Sequence, residues 1–418
     1  MGGFSVDFTG CGVLAGTLET CTIGKGPGCA SFVNGVVGTF RFTCTTIDAF
    51  VCNHDGHGGT FEGQMYNANK LLASLVQLGA WMREEASAER EILQHAQAQN
   101  AWFTPESISL ALQAQGGALA EPHVTQWGQN RDWPEGQSGL KVGLILAGNL
   151  PMVGWHDIMC TVLSGHVAHV KPSKDDAVLP RWLVQKWASF EPYVNEAVVF
   201  HDGMIQGLDA IVATGGGNAT RYFESYFGHL PHLFRRHRKS VAVLDGNETE
   251  AELKALGHDV FAHFGMGCRS VTKVWIPSSF DLDRCFGQWL DWGHLAQHGK
   301  YANNYDYHKA VWLLNQEQMV ENGFVLVKED QGLNSPIGTL FIERIQSDAQ
   351  LQKALLSQAD QIQVVSMRRD HALVSSLSSA GLRTCTLGQT QFPSLGEDAD
   401  GVDTLNFLLG LPHGVNPV

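Results

Sequence analysis

Apolar and polar positions change rhythm several times along the chain, and the changes predict most of its elements. From Met65, Leu71, Leu72, Leu75, Val76, Leu78 and Met82 recur at helical spacing until Arg83, Glu84 and Glu85 end the stripe, which predicts an amphipathic helix. A second helix is predicted from Thr104-Pro105-Glu106, where threonine can cap and proline fills the first turn without losing a hydrogen bond, to a stop before Gly116-Gly117. After Trp133-Pro134, short unbroken apolar runs alternate with segments of helical length. The runs are Val142 to Ala147, Val167 to Val170, Ala197 to Phe200, Ala210 to Ala213 and Val241 to Leu244. Unbroken apolar strands in a strand-helix-strand rhythm predict a parallel sheet covered on both faces. Such a sheet binds ligands beyond the carboxyl ends of its strands, so the residues after each run are the first candidates for chemistry.

Gly148-Asn149-Leu150-Pro151 follows the first run and Lys171-Pro172-Ser173-Lys174 the second. Thr214-Gly215-Gly216-Gly217-Asn218 follows the fourth and opens a helix carrying Tyr222 and Phe223. A glycine run at a helix N-terminus turns backbone N–H groups toward an anion, although by itself it is more often only a turn. Further on, Phe264-Gly265-Met266-Gly267-Cys268-Arg269-Ser270 reads as a helix end and a glycine-flanked cysteine. A strand over Val271 to Ile276 follows and stops at Pro277. The glycines let other backbone or a ligand approach the thiol, whereas an arbitrary lone cysteine is more often a small buried hydrophobe. Neither a GxxxxGK[ST] phosphate loop nor a GxSxG elbow occurs, which removes support for P-loop and α/β-hydrolase chemistry.

At 418 residues the chain exceeds one ordinary core, so two lobes are expected. Residues 1–64 are dense in Gly, Cys and Thr and hold no period. They are expected to be a disordered extension, or sequence upstream of a start near Met65. Cys44, Cys52, His54 and His57 in that stretch match no zinc spacing, and no metal site is expected. Of the nine cysteines, Cys160, Cys268, Cys285 and Cys385 show no disulfide spacing. The N-terminus has no basic region followed by a cleavage site, so free thiols in a reducing cytoplasm are the expectation. Twenty-eight basic against 42 acidic residues give a net charge of -14, which opposes nucleic acid and anionic lipid as partners. No apolar run approaches the ~20 residues of a membrane helix.

Taken together, the segments from about Met65 to Leu409 resemble the LuxC-type fatty acyl-CoA reductases of the aldehyde dehydrogenase superfamily. The resemblance is carried by Ala147 to Asp157, Lys171-Pro172-Ser173, Ala213-Thr214-Gly215-Gly216, Gly267-Cys268, Lys300 to Tyr307 and Asp400 to Leu405. It implies an α/β fold: a Rossmann-type parallel sheet forming the cofactor lobe (65–245), an α/β catalytic lobe (246–390) and a C-terminal return segment (391–418). It also implies Cys268 as the acyl-accepting nucleophile and Asn149 as an oxyanion donor. The substrate would be a fatty acyl thioester on coenzyme A or an acyl carrier, with coenzyme A as leaving group. A homo-oligomer and an acyl-activating partner enzyme are compatible with it. Lys171, Ser173, Lys174, Thr214, Gly215, Gly216 and Glu329 would bind the nicotinamide cofactor.

Two departures from the superfamily sharpen this reading. Hydrolytic aldehyde dehydrogenases carry a glutamate base in a Glu-Leu-Gly-Gly pattern on the strand before the cysteine. Leu244 stands at the matching position here, with Glu248 as the substitute if the registration slips. Lys174 stands where relatives that prefer NAD often carry an acid, which favours NADPH through its 2′-phosphate; the alternative is a solvated charge. Arg235, Arg236, His237, Arg238 and Lys239 either meet coenzyme A phosphates or form a solvated face. His156 and Asp157 are expected to pack rather than act as a dyad. The rival functions are an aldehyde dehydrogenase making free acid and a non-catalytic acyl-CoA or nucleotide-binding module.

Overall fold

The computed structural model describes residues 65–129, 131–215, 217–235 and 238–411. The expectations for residues 1–64, including Cys44, Cys52, His54 and His57, and those for Gly216, Arg236 and His237 lie outside the described residues. Helix α1 (Ala68–Glu84) begins where the Asn67 side chain accepts the Lys70 N–H, and it buries Leu71, Leu75, Leu78 and Met82. Helix α2 (Pro105–Ala118) begins under the Thr104 cap as expected, but it runs through Gly116 and Gly117 instead of stopping before them. The reason is packing. A Cβ on Gly116 would lie 2.8 Å from Gly79 O, so this glycine lets α1 and α2 approach closely and does not end the helix.

The first sheet has strands β1 (Lys141–Ile145), β2 (Val167–Lys171), β3 (Val198–Phe200), β4 (Ala210–Thr214) and β5 (His232–Arg235). All are parallel, in the order β3-β2-β1-β4-β5. The chain builds outward from β1 through β2 to β3 and then crosses back to place β4 on the other side of β1. Strand order therefore reverses between β1 and β4. Helices α3 (Trp155–Leu163) and α4 (Gly217–Phe227) follow these two central strands.

The second sheet holds β6 (Lys239–Val243), β7 (Val271–Pro277), β8 (Val320–Glu321), β9 (Leu326–Glu329), β10 (Thr339–Ile345), β11 (Ile362–Ser366) and β12 (Thr384–Cys385). Their order is β12-β11-β6-β7-β10-β9-β8, with only β8 antiparallel. Strand β6 corrects the expected lobe boundary: the chain changes sheets between Arg235 and Lys239, not after residue 245. Val241 and Val243 face one core of the second sheet, Ala242 and Leu244 the other. An unbroken apolar run satisfies a doubly covered strand in either sheet, so the run alone does not say which sheet takes it.

Helix α5 (Glu250–Phe261) starts with a Thr249/Glu252 capping box and leads into the turn before Cys268. The C-terminal helix α6 (Thr404–Leu409) is capped by Asp403, and Leu405 and Leu408 join the core of the first sheet. Among the described residues no helix is long and apolar enough to cross a membrane.

Candidate active site

At the strand-order reversal, the residues after β1 and β4 face one cavity of about 280 Å³, lined by Asn149, Leu150, Thr214, Gly215, Lys239 and Cys268 among others. The Asn149 loop is fixed from below. Met152 sits at φ 58 and donates its N–H to Asp176 Oδ2 at 2.8 Å, and Asn100 Nδ2 reaches Gly148 O at 3.4 Å. Asn149 itself is exposed to the cavity, and its amide has no hydrogen-bond partner among the described residues.

Cys268 is delivered by an unusual turn. His263, Phe264 and Gly265 hold φ of 51°, 60° and 74°, three successive left-handed residues of which two are not glycine. The Phe264 ring, wedged against Trp102 and His298 at centroid distances of 5.0 and 4.5 Å, holds that conformation. Gly267 then lies against the Asn149 loop so closely that a Cβ would come within 2.9 Å of Leu150 Cδ1. The Cys268 carbonyl accepts from Ser240 Oγ at 2.9 Å, which ties the Cys268 turn to β6.

Burial pushes the Cys268 thiol up to about 11 and Asp400 adds to the rise, while Arg269, Lys239 and Arg235 pull it back. Two of those cations are committed. Arg269 pairs with Glu397 at 2.8 Å, and Arg235 is buried against Asp157 and donates to Thr404 Oγ1 at 2.6 Å. Half-buried Lys239 has no carboxylate partner among the described residues. Burial lowers His156 and His263 to about 4, so both rings are neutral.

Cys268, Asn149, Thr214 and Gly215 therefore come together, and other expected residues do not. Leu244 is buried in the second lobe. Glu248 is no substitute base, since its carboxylate accepts the Asp245 and Gly246 N–H groups at 2.5 and 3.1 Å and closes a turn. Lys171 lines a separate cavity of about 330 Å³ with Ile145, Ile211, Tyr222 and Phe223. Ser173 accepts the Asp175 N–H at 3.2 Å, and Lys174 is exposed with no partner among the described residues. Glu329 pairs with Arg344 Nε at 2.7 Å and does not line the Cys268 cavity.

In the basic run, Arg235 is neither a solvated charge nor a phosphate ligand. It fastens the C-terminal segment to Asp157 of α3. Tyr301 donates to Phe324 O at 3.0 Å as a buried packing residue. Asn334 and Asp400 also line the cavity; Asp400 opens the Asp400 to Leu405 segment, which was given no site role, and no motif included Asn334. Among the described residues no group of three His, Cys, Asp or Glu side chains could hold a metal ion.

The family model for acyl-CoA reductase (LuxC) matches residues 82–283, a stretch that contains both the Asn149 loop and the Cys268 turn. That stretch of the chain is similar to the LuxC acyl-CoA reductases. The match, together with the aldehyde-dehydrogenase-like fold, supports an oxidoreductase acting in aldehyde chemistry. No curated protein matches the chain in sequence. Among solved structures, the glyceraldehyde-3-phosphate dehydrogenase of Methanocaldococcus jannaschii, complexed with NADP, is similar with a TM-score of 0.59. It is 12% identical, over 82% of this chain and 88% of that one. The Δ-pyrroline-5-carboxylate dehydrogenase of Mycobacterium tuberculosis, bound with NAD, has a TM-score of 0.57 at 13% identity, covering 82% and 77%. The betaine aldehyde dehydrogenase of Staphylococcus aureus has a TM-score of 0.56 at 10% identity, covering 78% and 76%. At these identities the similarity shows an aldehyde-dehydrogenase-like fold.

Proposed function

We propose that this protein reduces a fatty acyl-CoA to the aldehyde, with NADPH as reductant and an acyl thioester on Cys268 as intermediate. The observation that carries the reading is the shared cavity at the strand-order reversal, which holds Cys268 together with the unpartnered amide of Asn149. The Cys268 thiolate attacks the thioester carbonyl. The Asn149 side chain and the Cys268 backbone N–H hold the oxyanion, and the bond to the coenzyme A sulfur breaks with both electrons on that sulfur. The Lys239 ammonium, in the same cavity, is suited to stabilising the thiolates and to protonating the departing one. Leu244, read as the place of the hydrolytic glutamate, activates no water, so the acyl-cysteine is left for reduction.

The residues present fit a dinucleotide. Thr214 and Gly215 face the shared cavity beside the start of α4, and the apolar cavity of Ile145, Ile211, Tyr222 and Phe223 suits a purine ring. When bound, the nicotinamide nucleotide supplies the hydride that reduces the acyl-cysteine. The solved relatives carry NADP or NAD, which supports a nicotinamide dinucleotide of either kind. The exposed, unpartnered Lys174 favours the 2′-phosphate of NADPH.

The test is incubation with a series of acyl-CoAs and NADPH, following cofactor oxidation, aldehyde release and the mass of the acylated protein. Aldehyde formation with an acyl group on Cys268 is expected. Free acid made from aldehyde without coenzyme A, or acylation of a different cysteine, would overturn the reading.

A further inference from the structure

Cys268 faces two cavities. Besides the one shared with Asn149, it lines another of about 170 Å³ whose wall includes Ala111, Ala114 and Ala118 of α2. Three- and four-residue spacing puts these alanines on one face of the helix, and their short side chains leave the space beside Cys268 open. A third cavity, of about 290 Å³, lies along the N-terminal half of the same helix, beside Ser107 and Leu110. Phe261, Phe264, Trp292 and Leu295 give it a largely apolar wall. His263 is the one residue common to the linings of these last two cavities.

His263 separates the two cavities with few ties of its own. Its ring is neutral, because burial lowers its pKa to about 4, and its Nδ1 lies 2.7 Å from Ser107 Oγ. That contact is the ring's one hydrogen bond among the described residues, so displacing the ring breaks a single neutral hydrogen bond and strands no charge. From Ser107 to Ala118 the helix face runs roughly 16 Å at ~1.5 Å per residue, the scale of a long acyl chain.

We propose that the cavity behind His263 is the subsite for the distal part of the acyl chain, with His263 as a movable partition. The proposal rests on the acyl-cysteine reading above. The polar cavity holds Asn149 and Lys239 and takes the carbonyl, so the chain leaves Cys268 along the alanine face of α2. A chain too long for the 170 Å³ space continues past His263 into the aromatic one.

The experiment measures kcat/KM for saturated acyl-CoAs of increasing length with saturating NADPH, in the full chain and in Leu110→Trp and His263→Ala. Each methylene that enters an apolar cavity is worth up to about a fourfold gain, from ~0.8 kcal/mol per buried CH₂. Leu110→Trp fills the distal cavity and is expected to end this rise at shorter chains while short-chain rates stay at the wild-type level. His263→Ala is expected to raise the ratio of long-chain to short-chain kcat/KM severalfold. Wild-type length profiles in both variants overturn the proposal. Should Leu110→Trp not fold, an unchanged ratio in His263→Ala overturns it alone. Failure of the wild-type protein to form an acyl adduct on Cys268 at any chain length is a different result, and it removes the thioester reading together with this one.

Discussion

Asp176→Asn probes how the Asn149 loop is held. Asp176 is 2% exposed. Its Oδ2 accepts the Met152 N–H at 2.8 Å, and its Oδ1 has no partner among the described residues. Burial pushes the carboxyl from 3.8 up to about 7, against the Met152 and Leu179 N–H groups, which pull it down. Between those two values the folded protein binds a proton that the unfolded chain has lost. The group's contribution to stability is therefore full below about pH 4, falls as pH rises toward 7 and is flat above it. At 1.36 kcal/mol per pKa unit the loss amounts to at most about 4 kcal/mol.

Asparagine keeps an oxygen for Met152 and never ionises. The stability of Asp176→Asn relative to wild type should thus rise by up to about 3 kcal/mol between pH 5 and pH 8. Urea unfolding of both proteins at the two pH values measures this directly. Burial also raises Asp259 and Glu248, but these carboxyls contribute equally to both proteins and cancel in the difference. A stability gap that is the same at pH 5 and pH 8 would refute the reasoning.

Cys268→Ala should abolish reductase turnover and the acyl adduct together. Asn149→Ala should slow acylation by about 10²–10³ while leaving an adduct and near-normal nucleotide binding, read by single-turnover mass spectrometry and nucleotide titration. Lys174→Glu should move the ratio of kcat/KM for NADPH over NADH toward NADH, and an unchanged ratio takes Lys174 out of the site. Arg235→Met leaves Asp157 buried without its cation and should cost about 3–5 kcal/mol in denaturant unfolding. Iodoacetamide should modify Cys268 ahead of Cys285 and Cys385, whose thiols burial pushes to about 12. Lys239→Met should slow that reaction at pH 8, as followed by peptide mass spectrometry.

What was legible in the sequence is what depends on near neighbours in the chain. Asn149 follows an apolar run and Cys268 stands among glycines, so each announced a strand end or a turn before any tertiary contact was known. The same local reading failed at Gly116, where a helix-stopping residue serves instead to let α1 and α2 approach. It failed for Glu248 too. A carboxylate looks available in a sequence until the partners that consume it are known, and here the partners are two turn N–H groups.

The basic run from Arg235 to Lys239 shows most clearly why sequence adjacency misleads. Arg235 ends the last strand of one sheet and Lys239 begins a strand of the other, so residues four apart belong to different lobes. Arg235 is drawn into the first lobe by Asp157 and Thr404, far away in the chain, and is spent on holding the C-terminal segment. Lys239 enters the second lobe beside Ser240, whose hydroxyl holds the Cys268 carbonyl at 2.9 Å. The switch of sheets thus brings an uncommitted ammonium to the Cys268 cavity while its neighbour four residues earlier becomes a structural bolt. Charge pattern alone cannot separate these two fates, because they are set by which sheet receives the strand.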